Sequence, residues 1–119
     1  MEFTIDRKAF LTALEQAAKA QSPLQEILKM VLCEVDPVHQ EIILTCTNLE
    51  LTIQSHASAG LFIERPGKCL IPPVIRSFLA KMDDDLVSVS DNGRILEVRG
   101  LSRDVLCAAC PLKIFRISR

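Results

Sequence analysis

The chain has 119 residues, a net charge of −1, 49% apolar and 24% charged residues. That is one soluble-type domain, long enough to bury a shared core. It has no bulk basicity for nucleic acid and no apolar run near the ~18 residues that cross a bilayer. There is no Trp or Tyr and only five Phe, so the aromatic platforms on which single strands stack are missing.

The pattern opens with a short strand, Glu2–Asp6, and a helix over residues 7–20. Phe10, Leu11, Leu14, Ala17 and Ala18 recur there at helical spacing, and Asp6 is placed to cap it. Three strands are expected next, at residues 27–35, 40–47 and 49–56, with Asp36-Pro37 turning between the first two. The apolar alternation slips phase at Thr47-Asn48, from Ile42, Leu44 and Cys46 to Leu49, Leu51 and Ile53. A two-residue turn there would set Cys46 opposite Leu49 and Leu44 opposite Leu51, with all six side chains on one face. Residues 60–65 read as a link between the halves, another strand or an extended segment.

The order then repeats. Residues 67–72 form a strand and residues 72–82 a helix, with Val74, Ile75, Phe78, Leu79 and Met82 on its apolar side. Strands follow at 83–90, 93–100 and 102–110, turning at Asp91–Gly93 and Gly100–Ser102. AFLTAL in the first helix aligns with SFLAKM in the second. The chain thus divides into two β-α-β-β-β units, about 1–58 and 67–110. The expected class is α+β, with two helices side by side on one face of a curved antiparallel sheet.

Candidate chemistry is sparse. Opposite the apolar stripes lie Lys8, Thr12, Glu15 and Lys19 on the first helix, and Arg76, Ser77, Ala80 and Lys81 on the second. Four cations against one anion would suit a polyanion, but solubility alone also makes helix exteriors lysine-rich. His39 and His56 lack metal-ligand spacing and read as solvated. Asp83-Asp84-Asp85 reads as a charged turn after the second helix. Five cysteines read as mostly buried, reduced thiols. Cys107-Ala108-Ala109-Cys110 lies in a strand pattern, where residues three apart face opposite ways, which does not suit a redox pair. A thiol oxidoreductase is therefore a distant alternative. No glycine-rich phosphate loop is present, and neither a metal nor a cofactor is expected.

The duplicated order and several strings resemble the N-terminal domain of the bacterial DNA polymerase III beta subunit, the sliding-clamp family. The strings are the opening MEFTIDRKAFLTAL with Phe3, Thr4, Arg7, Leu11 and Leu14, the turn Thr47–Glu50, the Ile71-Pro72 pair, and GRILEVRGLSR with Arg103. The resemblance runs from Met1 to about Phe115. It implies the DNA-clamp fold and a single domain over 1–115, with 116–119 beginning a linker or tail of an excised first domain or a stand-alone relative.

It further implies a non-catalytic processivity factor of DNA replication, in the cytoplasm and away from membranes. A ring-forming homo-oligomer would encircle double-stranded DNA without reading sequence. DNA polymerase III and the clamp loader would bind through other domains. Under that resemblance Lys8, Lys19, Gln21, Arg76 and Lys81 face DNA, and the last strand, with Arg103, Val105, Leu106 and Cys107, lies at the subunit interface.

The match has gaps. The family's arginine after the first helix falls at Gln21, and its basic pair opening the second falls at Val74-Ile75. Its prolines are replaced at Gln25 and Arg116. A clamp-fold protein-interaction module without DNA binding is the alternative reading.

Overall fold

The computed structural model describes residues 1–20, 30–48, 50–100 and 105–109. Nine strands and two α-helices follow in chain order among them. The first half contains β1 (Glu2–Asp6), α1 (Arg7–Ala17) with a 3₁₀ turn at Ala18–Ala20, β2 (Val31–Asp36), β3 (Glu41–Thr47) and β4 (Thr52–Ala57). The link is itself a strand, β5 (Phe62–Arg65). The second half contains β6 (Gly67–Ile71), α2 (Val74–Lys81), β7 (Leu86–Asp91), β8 (Ile95–Gly100) and β9 (Val105–Ala109).

The strands make two antiparallel sheets rather than one continuous layer, in the orders β5-β1-β7-β8-β9 and β4-β3-β2-β6. Each half lends its first strand to the other. β1 pairs with β7 of the second half, and β6 pairs with β2 of the first. The repeat therefore appears in space as two equivalent four-stranded units with exchanged leading strands, and β5 is added on the free side of β1.

Burial follows the expected periods. β2 and β3 alternate strictly between buried and half-buried residues, so their inner faces carry Val31, Cys33 and Val35 beside Ile42, Leu44 and Cys46. On α1, Phe10, Ala13, Leu14 and Ala17 are buried, and the Phe3 and Phe10 rings meet edge to face with centroids 5.8 Å apart. The Asp6 carboxylate accepts from the Ala9 amide at 2.9 Å, satisfying one of the donors that a helix start leaves open. Ile75 and Leu79 form the buried stripe of α2, whereas Val74 is half exposed, contrary to the apolar side assigned to it.

The phase slip has a different solution from the two-residue turn. Thr47 pairs with Thr52, Cys46 with Ile53 and Leu44 with Ser55. The strands thus close at the Thr47–Thr52 pair, with four residues between them in sequence. Leu51 lies outside the strands at 50% exposure, and Leu49 is outside the described residues. Asn48 holds this loop, its Oδ1 accepting from the amides of Glu50 at 3.0 Å and Leu51 at 2.7 Å. The register moves by an even number of residues, so Ile53, Ser55 and Ala57 still face inward. At the other end of the hairpin pair, Asp36 Oδ1 accepts from the Val38 and His39 amides, and Gln40 takes a positive φ of 54°.

Candidate nucleic-acid interface

α1 and α2 lie side by side, and their outward residues Leu11, Glu15, Pro73, Arg76, Ser77 and Ala80 line an open groove of about 360 Å³. The position of each helix follows from its strand. α1 starts directly after β1, with Arg7 as its first residue, and α2 starts two residues after β6. Arg7 ties the two helices together. Its Nη1 donates to the Leu79 carbonyl at 2.9 Å and its Nε to the Asp84 carbonyl at 2.6 Å, while its amide donates to Asp85 O at 2.8 Å. The cation thus sits at the C-terminal end of α2, where the helix dipole favours positive charge. On the far side of α1, the buried Ser55 hydroxyl donates to the Ala13 carbonyl at 2.6 Å and fixes β4 beneath the helix.

On this frame Lys8, Thr12, Glu15 and Lys19 are all exposed, as are Ser77, Ala80 and Lys81. Lys8 on α1 and Lys19 on the 3₁₀ turn stand about 17 Å apart along the axis, at roughly 1.5 Å per α-helical and 2.0 Å per 3₁₀ residue. Arg76 is half-buried in the interhelical groove with Glu15. Burial pushes the Cys46 thiol up while the Arg76 charge pulls it back. The structure therefore leaves Lys8, Lys19 and Lys81 exposed on their helices and places Arg76 in the groove between α1 and α2. Gln21 lies outside the described residues.

Of the four residues assigned to an interface on the last strand, Val105 and Cys107 are exposed on β9, and Leu106 packs against the core. Arg103 lies outside the described residues. β9 forms one edge of its sheet. The exposed Cys107 differs from the buried setting of Cys33, Cys46 and Cys69. Cys110, the other half of the C-x-x-C string, is outside the described residues.

No group of three or more metal-ligating side chains converges among the described residues, the three consecutive aspartates included. His39 and His56 are both exposed, each beside one carboxylate. The hydrogen bond that the His39 ring Nδ1 donates to the Asp36 carboxylate is the main cause that raises the His39 pKa, and the same bond lowers that of Asp36.

Pattern reading missed Arg7 and Ser55 as structural groups. The signal for Arg7 was present, since residues 7, 10, 14 and 17 share one helical face. An arginine on an apolar stripe has to find acceptors there.

A paired-helix, two-sheet domain with exchanged leading strands and a cationic helix exterior is a clamp-type domain. The sequence profile of the DNA polymerase III beta subunit, N-terminal domain, matches residues 1–109, and the chain belongs to that family. The same fold occurs in the beta subunit from DNA polymerase of Streptococcus pyogenes (TM-score 0.82, 21% identity). It occurs also in the DNA polymerase III subunit beta from Pseudomonas aeruginosa (0.82, 24%) and the DNA polymerase sliding clamp from Caulobacter crescentus (0.80, 23%). Each of these alignments covers 92% of this chain and 30% of the other, so the chain spans under a third of their length. No curated protein matches by sequence.

Proposed function

We propose that the chain is the first domain of a sliding clamp, a non-catalytic processivity factor that helps to encircle duplex DNA and so holds a polymerase at its template. The observation that carries this reading is the cationic exterior of the helix pair. Lys8, Lys19 and Lys81 are exposed there, Arg76 is half-buried in the groove between the helices, and Glu15 is the one acid among the eight positions named above. Exposed lysines meet phosphates as solvated point charges on flexible stems. Contact of that kind carries no sequence information and lets a protein slide.

In this reading residues 1–115 are one domain and 116–119 begin a linker or tail. Arg103, Val105, Leu106 and Cys107 belong to a subunit boundary, where the β9 edge takes a strand from a second chain in a ring. DNA polymerase III and the clamp loader engage other domains, and the protein works in the cytoplasm.

Fluorescence anisotropy of the 119-residue chain on a labelled duplex, from 50 to 200 mM salt, tests the DNA-facing assignment. Three phosphate contacts predict a log–log slope of about −3, and each Lys→Ala change at position 8, 19 or 81 should reduce it by about one. Weak binding that ignores both salt and these substitutions would instead support a clamp-fold module for protein partners.

A further inference from the structure

Cys33 and Cys69 are both completely buried and both reduced, and they stand directly opposite one another in the β2–β6 ladder. Opposed residues on antiparallel strands point to the same face. Their Cα atoms lie about 5.5 Å apart in a hydrogen-bonded pair and about 4.5 Å apart in the other kind. A disulfide spans Cα separations of roughly 4.4–6.8 Å, so either kind of pair already has the backbone spacing of the bridged form. The other buried thiol has no such neighbour on β4, because Cys46 is opposite Ile53. Cys107 is opposite Glu97. Among the described cysteines this is the one opposed pair.

We propose that Cys33 and Cys69 form a dithiol–disulfide site that is closed by a low-molecular-weight disulfide and staples the first repeat to the second. One cysteine, as thiolate, attacks a sulfur of the small disulfide and expels the first thiolate. The other then attacks the resulting mixed disulfide, forms the Cys33–Cys69 bond and expels the second. Two electrons pass from the protein to the oxidant, and the two protons lost by the cysteines go to the two thiolates released.

Access comes from the edge. Among the described residues β6 ends its sheet, and the strand it pairs with is β2. An edge strand parts locally at lower cost than a central one. In the closed state burial pushes the Cys33 thiol well above its ordinary pKa and keeps it protonated, so the reaction waits on that opening. Once formed, the bond lies across the seam where the second repeat lends its leading strand to the first, and it locks the exchange of strands.

The test uses a chain carrying Cys107→Ser and Cys110→Ser, reduced, freed of reductant and incubated natively with oxidised glutathione. Closure predicts loss of about 2 Da in intact mass and a linked peptide pair containing Cys33 and Cys69. It also predicts slower amide exchange in β2 and β6. Adding Cys33→Ala should abolish the mass loss and leave Cys69 as a thiol or a glutathione adduct. If the background substitutions prevent folding, peptide mapping of the unaltered chain supplies the same readout. Recovery of both as alkylatable thiols, pairing of either with another cysteine, or closure only in denaturant would overturn the proposal.

Discussion

Replacing Arg7 by methionine isolates the brace between the helices, because methionine keeps most of the apolar stem while removing the guanidinium. Two hydrogen bonds are lost, to Leu79 O and Asp84 O. Bonds to a charged group contribute about 1.5–3 kcal/mol each, which gives a gross loss of ~3–6 kcal/mol. Two features reduce it. Leu79 O retains the Met82 amide at 3.3 Å, and the Asp84 contact is only part-buried, so water can replace the donor. Relief from desolvating the cation offsets a further part.

The net expectation for Arg7→Met is a loss of about 2–3 kcal/mol, a large share of the ~5–15 kcal/mol that stabilises a domain. The chain has no Trp or Tyr, so urea unfolding is best followed by far-ultraviolet circular dichroism. Arg7→Lys should recover roughly half, since one ammonium cannot reproduce the two-pronged geometry. A midpoint for Arg7→Met within ~0.5 kcal/mol of the parent would refute the bracing role.

The connection at 48–51 predicts opposite outcomes for two leucines: Leu44→Ala should cost about 2–5 kcal/mol and Leu51→Ala under ~0.5 kcal/mol by the same melts. For His39, nuclear magnetic resonance titration should give a pKa above the ordinary imidazole value, returning to it in Asp36→Asn. The raised His39 stabilises the turn below its unfolded pKa and loses that as pH rises through the folded value, whereas the lowered Asp36 does so above its own and loses it on acidification. The pair therefore acts in the window between roughly pH 4 and 6.5, and its exposure leaves global stability nearly unmoved. A fragment of residues 1–58 should show no cooperative thermal transition, since β1 then lacks both β5 and β7 and β2 lacks β6.

Much of this architecture could be read from periodicity because the relevant forces are local. Alternation in Val31–Val35 and Ile42–Cys46, and the 3.6 spacing of Phe10, Leu14 and Ala17, report which face is buried whatever that face packs against. The exposed set on α1 came from the same rule. Register is another matter. Both a two-residue and a four-residue turn keep Ile53 inward, and what separates them is the Asn48 side chain bonding two amides, a preference that apolar spacing does not encode. Val74 misled because it lies one helical step, about 100°, from Ile75 and falls on the flank of the buried stripe.

The exchange of β1 and β6 was hidden because the repeated order is the same whether each half is self-contained or lends a strand. Arg7 spoke only faintly, as a charge on an apolar stripe whose acceptors, Leu79 O and Asp84 O, come from residues far along the chain.

Strand exchange also explains why the helix exterior can carry cations without structural support from them. Each helix follows closely on a strand paired into the other half's sheet, so α1 and α2 are carried to the seam together, and Arg7 links them. Their alignment then depends on buried groups: Phe10 and Leu14 under α1, Ile75 and Leu79 under α2, and Ser55 hooked to Ala13. Lys8, Lys19 and Lys81 are not among those buried groups and remain exposed at the ends of flexible stems. A rigid frame fixes where the charge is, and the side chains leave its exact contact undefined. For the proposed clamp that division is the physical requirement, because a charge held in one fixed geometry would select a register on the duplex, and a register resists sliding.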